Sequence, residues 1–138
     1  MNATAIALLG YIAWTLLLLG GIAVLRVSVS VLQNKPANSF RPDGSDVSPF
    51  SGRLCRAHAN VYESFPFIGG LLLLALATDT TGITDPLALV LLASRIAQST
   101  VHLLSTSAAA VLIRFGFFLI QYAIAAYWTV RFLAHFLA

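Results

Sequence analysis

Arg53, Arg56, Asn60 and Glu63 are spaced three, four and three residues apart. At about 100° per residue an α-helix gathers all four onto one face roughly 80° wide, while His58 and Tyr62 point the other way. Guanidinium, amide and carboxylate side by side make a recognition surface, with forked donors for an anion and an acceptor for a cation. The pattern recurs. Arg95, Gln98, Ser99 and His102 share one helical face, Arg114 and Gln121 share another with Phe118 between them, and Arg26 and Gln33 share a fourth. Acids are scarce beside these arginines. Arg26, Arg53, Arg56, Arg95 and Arg114 have only Glu63 as an acid within the apolar stretches. The stripes could satisfy one another, with Glu63 on one arginine and the amides bridging helices. That would still leave four cations, of which Arg26 and Arg53 could snorkel to an interface. The missing partner is most simply an anion, either a lipid headgroup or a small ligand with carboxylates.

The elements that hold these stripes follow from composition. Of 138 residues, 59% are hydrophobic and 9% charged, with eight basic and five acidic side chains. Mean hydropathy is +0.87. Soluble domains carry about 25% charge, so this chain cannot cover a water-facing surface. The expected fold is an all-α membrane protein, a four-transmembrane-helix bundle forming a single domain over 1–138. Its spans are predicted at about 3–26, 50–78, 86–105 and 108–136, each near or above the roughly 20 residues a crossing needs. The first run lacks a basic leader and a cleavage site, so it is expected to be a retained span.

Loop chemistry separates the spans. Asn34-Lys35-Pro36 and Pro42-Asp43-Gly44-Ser45-Asp46 mark turns in a long polar segment from about 28 to 51. Ser48-Pro49 and Asp85-Pro86 each suggest a cap followed by proline in a first helical turn. Pro66 is expected to kink the second span. Arg26, Lys35, Arg41, Arg53 and Arg56 cluster in or beside the first loop. The positive-inside rule therefore puts that loop in the cytoplasm and both termini on the opposite side, with Arg131 a counter-indication.

Arg56-Ala57-His58-Ala59-Asn60-Val61-Tyr62-Glu63-Ser64-Phe65-Pro66-Phe67 resembles the second-helix signature of the MAPEG family, membrane-associated proteins in eicosanoid and glutathione metabolism. The loose match extends over four spans, a large first loop, an arginine closing the first span and arginines in the third and fourth. The resemblance implies a homotrimer that binds glutathione between subunits. It implies glutathione-binding roles for Arg26, Arg56, Asn60, Glu63, Arg95 and His102, and a catalytic role for Arg114 in holding the thiolate. Departures are visible too. Ala59 stands where several members have a second arginine, and His102 and Phe118 stand where some have tyrosines.

The charge inventory agrees with such a ligand. Glutathione brings two carboxylates, an ammonium and a thiol, and Glu63 with several arginines offers each charge a partner. Lowering a thiol pKa of about 8.5 by about two units takes roughly 2.7 kcal/mol. One arginine at about 4 Å supplies roughly 4 kcal/mol at an effective dielectric of 20, before desolvation. The expected function is a membrane-embedded glutathione transferase that joins the thiolate to a lipophilic electrophile, and glutathione peroxidase activity could accompany it. The alternative is a non-catalytic lipid-binding or scaffold member of the family. A proton-coupled drug exporter is disfavoured because the first span carries no carboxylate. A metal is not expected, since the three histidines lie on separate elements and Cys55 is alone. Scattered basic residues suggest no nucleic-acid partner.

Overall fold

The structure is a computed structural model that describes residues 2–138. Four long helices follow one another: α1 (Ala3–Gln33), α2 (Pro49–Ala77), α3 (Asp85–Leu104) and α4 (Ala108–Leu137), with a single 3₁₀ turn at Thr81–Ile83 between α2 and α3. At 1.5 Å per residue α3 measures about 30 Å, the thickness of a bilayer's hydrocarbon layer, and the other three project beyond it. All four helices are long and apolar enough to cross a membrane. Leu16, Leu17, Val24, Val31, Leu73, Leu112 and Val130 are among many large apolar side chains turned outward. Water would penalise that surface, and lipid accepts it. The protein is a multi-pass integral membrane protein.

Local chemistry sets the helix ends. Asn2 accepts from the Ala5 amide at 2.8 Å, Ser48 from Ser51 at 3.0 Å and Ser107 from Ala110 at 3.2 Å. Each side chain satisfies one of the free N–H groups of a first turn. Two expectations need correction here. The first helix does not stop at Arg26 but runs to Gln33, where Asn34 closes it in the left-handed region at φ 53°. Ser28 turns its hydroxyl back to the Val24 carbonyl at 2.8 Å within this serine-interrupted helical extension. Asp85 is not a cap in its own helix. Its carboxylate accepts from both the Thr4 amide and the Thr4 hydroxyl, at 2.8 and 2.6 Å. It thereby fastens the start of α1 to the start of α3. Pro66 sits inside α2, which is helical on both sides of it.

Helices α1 and α2 pack together, as do α3 and α4, and α3 also rests against α1 and α2. The core is built of Tyr11, Ile68, Leu72, Leu91 and Trp128, all fully buried. Tyr11 pins α1 to α2 through its hydroxyl, which donates to the Val61 carbonyl at 2.6 Å and lies 2.7 Å from Ser64 Oγ.

The first loop folds back over the start of α2. Lys35 pairs with Asp46 at 3.0 Å and holds its carboxyl below the usual carboxylate range. Arg26 and Lys35 both lie over the Phe40 ring, at 5.8 and 5.3 Å from its centroid. Gly44 makes the closest approach. It is buried with φ +68°, and a Cβ there would lie 2.7 Å from Ser51 Oγ and 2.8 Å from both Cys55 Sγ and the Ser51 carbonyl. Gly44→Ala should therefore undock the loop. We expect a stability loss of roughly 1–3 kcal/mol and faster protease cleavage between residues 35 and 47, read by melting and limited digestion in detergent.

Candidate functional site

The polar stripes converge from three helices. On α2, Arg56 and Glu63 are exposed and Asn60 is half-buried between them. Neither Arg56 nor Glu63 makes a salt bridge among the described residues. The pairing of Glu63 with an arginine of its own subunit, one of the readings open from sequence, is therefore not what the fold adopts. Cys55 lies off this face and is buried beneath the first loop.

The α3 stripe turns inward. Arg95, Gln98 and Ser99 are 2%, 5% and 3% exposed. Arg95 donates from Nη1 to Asn60 Oδ1 at 2.6 Å, and its guanidinium lies 5.9 Å from the centre of the Tyr11 ring. Gln98 donates to the Arg114 carbonyl at 3.1 Å and accepts from Gln121 at 3.0 Å. Gln121 also donates to the Phe117 carbonyl at 3.0 Å. Apart from the last, which stays within α4, these bonds cross from α3 to α2 and α4, so most of this stripe holds the helices in register. One turn nearer the end of α3, His102 stays half-buried, close enough to Arg114 and Arg56 to feel both charges.

Arg114 sits on α4 beside this amide ladder and is half-buried. Its Nε is fully enclosed and has no hydrogen-bond acceptor. The same is true of Arg95 Nε. A guanidinium has five donors and no acceptor, and none of the Arg114 donors is taken up among the described residues, so its half-buried head has capacity for an anion. The two amides that fix the backbone at Arg114 and Phe117 set where that guanidinium can reach.

Arg53 is satisfied differently. Its Nε donates at 2.8 Å to the Leu103 carbonyl, one of the free acceptors at the end of α3. Together with Arg56 it lines a cleft of about 480 Å³ under the first loop, bounded also by Asp46, Ser48 and Thr106.

Arg26 lies apart from these residues. It donates to the Arg41 carbonyl at 3.3 Å and borders a hollow of about 360 Å³ with Cys55, His58 and Ala59. These three α2 residues lie off the Arg56–Asn60–Glu63 face. Within one subunit, then, Arg56, Asn60, Arg95, His102 and Arg114 are gathered between α2, α3 and α4, Glu63 sits one turn further along α2, and Arg26 lies across that helix.

One contributor was not singled out from the sequence. Tyr11 is the aromatic partner of Arg95, and its signal was a polar-tipped ring, with Trp14 the other, in an otherwise aliphatic first span. Gln98 and Gln121 were visible as stripe members, yet their bond across α3 and α4 needs the packing to be known.

A second feature lies on the lipid side. Phe67, Leu71, Phe118, Tyr122, Ala125 and Val130 line an apolar groove of about 580 Å³ between α2 and α4. Phe118 is one turn from Arg114 and stacks on Phe115 at 6.1 Å.

No curated protein and no solved structure matches the chain significantly. The model of the MAPEG family does match, over residues 4–134 of the 138. That span reaches into all four helices and takes in every residue of the polar stripes, and on it the chain belongs to the MAPEG family.

Proposed function

We propose that this protein is a membrane-embedded glutathione transferase that activates glutathione as its thiolate and joins it to a lipophilic electrophile. The observation that carries the reading is the half-buried Arg114 guanidinium, which makes no hydrogen bond or salt bridge among the described residues, together with exposed, unpaired Arg56 and Glu63. Family membership supports it, since the family includes glutathione transferases.

In this reading Glu63 accepts from the ammonium of glutathione, while Arg56 and the Asn60 amide donate to its carboxylate groups. Arg114 supplies the positive charge that favours S⁻ over S–H. The thiol proton leaves to solvent and the sulfur pair forms the new S–C bond. The electrophile's leaving group departs with its bonding pair, or an added double bond takes up a proton. With a hydroperoxide the same thiolate attacks the outer oxygen, and a second glutathione completes reduction to alcohol, water and glutathione disulfide. The electrophile would arrive from the bilayer, along surfaces such as the Phe118 groove.

The position of Arg26 bears on assembly. In this reading a ligand held by Arg114 meets Arg26 from a neighbouring subunit, since the two arginines lie on different sides of α2. That calls for an oligomer; the family resemblance implies three subunits, and we propose a homotrimer with glutathione between adjacent subunits. The first loop is proposed to face the cytoplasm, where glutathione and the basic residues of the loop would both be found.

Glutathione should stabilise the purified protein in detergent. At a concentration of about 100 times Kd the gain is roughly 2.7 kcal/mol, a shift of several degrees in Tm. An unchanged Tm at saturating millimolar glutathione would overturn the proposal. In that event the apolar α2–α4 groove favours the second reading, a non-catalytic lipid-binding member, for which lipid bound after purification is the expected finding.

A further inference from the structure

The geometry points to Arg95 as a positioning residue that fixes which way the Asn60 amide faces, and so makes Asn60 a donor toward the ligand. This rests on the glutathione reading above and assigns Arg95 a different role from the direct contact implied by the family resemblance.

Arg95 is almost wholly enclosed, at 2% exposure, whereas a ligand-contacting arginine needs an open guanidinium. Its Nη1 is 2.6 Å from Asn60 Oδ1 and 3.5 Å from the Asn60 carbonyl. Arginine has only donors, so the amide oxygen is the only end of the Asn60 side chain that can face it. The Nδ2 end is thereby turned away, and it makes no hydrogen bond with other described residues. It is not among the enclosed polar atoms lacking a partner. Two N–H donors are left pointing off the α2 face, one turn from the Glu63 carboxylate. An amide free to turn would offer an oxygen half the time and would repel a carboxylate in that state.

The guanidinium itself is held from behind. Tyr11 presents its ring at 5.9 Å, and the Tyr11 hydroxyl is tied to Val61 and Ser64. No acid stands beside Arg95 among the described residues. Its charge is met by the amide oxygen and the aromatic face, while its Nε is enclosed without an acceptor.

The test is a set of substitutions read by glutathione titration and by ligand-free melting of the full-length protein in detergent. Asn60→Asp places a carboxylate against Arg95. It should keep or raise the ligand-free Tm while weakening glutathione binding at least tenfold, because no donor remains. Arg95→Gln, which can present either a donor or an acceptor to Asn60, should weaken binding several-fold. Arg95→Lys, still donor-only, should stay within a few-fold of wild type even if Arg95→Gln fails to fold. In the Asn60→Ala background, Arg95→Gln should add no further loss. Additive losses, or wild-type affinity in Asn60→Asp, would overturn the positioning role while leaving glutathione binding intact. No binding by the wild type would overturn the glutathione reading and this inference with it.

Discussion

Arg114→Ala is expected to remove most of the thiolate from bound glutathione at neutral pH. If the guanidinium lowers the thiol pKa from about 8.5 by about two units, three-quarters of the bound ligand is thiolate at pH 7. Without it the fraction falls to roughly 3%, a loss of about 25-fold in ultraviolet thiolate absorbance. The conjugation rate should fall by less, because a more basic thiolate is intrinsically more nucleophilic and recovers part of the loss. The sign with pH is specific. A pKa raised by the substitution moves the rising limb of the rate profile upward by about two units, so the variant approaches wild type only above about pH 9. Arg114→Lys should fall between the two, since it keeps a charge but loses the planar fork. The Arg114 head takes part in no hydrogen bond within the subunit, so ligand-free Tm should change little. Equal loss of Tm and of activity would indicate a structural role instead.

Glu63→Gln should separate binding from stability even more sharply. Glu63 is exposed and makes no salt bridge among the described residues, so its charge holds nothing together within one subunit. Ligand-free stability should stay within about 0.5 kcal/mol of wild type, read by melting. Glutathione affinity should fall roughly 10- to 100-fold, the range for losing a charged hydrogen-bond partner. A glutathione analogue lacking the amino group completes a cycle. It should bind the wild type as weakly as glutathione binds the variant, and it should be indifferent to the substitution. Equal weakening of both ligands by Glu63→Gln would mean that Glu63 does not meet the ammonium.

The fold was largely legible because a bilayer enforces simple rules. Four apolar runs had to be helices, since lipid offers no partner for unpaired backbone groups. Ser48 before Pro49 marked one helix start, and the expected start of the last span at 108 coincides with that of α4. The end of α1 was not legible. Between Arg26 and Gln33 serines interrupt the valines and a turn-rich polar segment follows, which reads as loop, but the backbone remains helical until Asn34 takes a left-handed conformation. Asp85 misled for a related reason. An aspartate before proline resembles a cap, and here the carboxylate is claimed by Thr4, a residue 81 positions away.

The site was legible as a set of faces but not as contacts. Helical arithmetic puts Arg56, Asn60 and Glu63 together because that depends only on one helix. It puts Arg95, Gln98 and His102 together equally well, yet cannot say that the first two turn inward and only His102 stays near the opening. Burial of a polar side chain depends on which neighbours offer acceptors. Asn60 and Arg114 offer acceptors, and Gln121 a donor, through packing between separate helices. The charge imbalance proved more robust than any single assignment. None of the five arginines pairs with Glu63, and Arg53 and Arg95 find uncharged acceptors instead.

The most direct test is to titrate purified wild-type protein with glutathione in detergent and follow ultraviolet thiolate absorbance across pH. Activation by Arg114 predicts saturable absorbance with a midpoint about two units below the ordinary thiol value. Binding without thiolate at pH 7, or no saturable signal at any pH below 8, would contradict it.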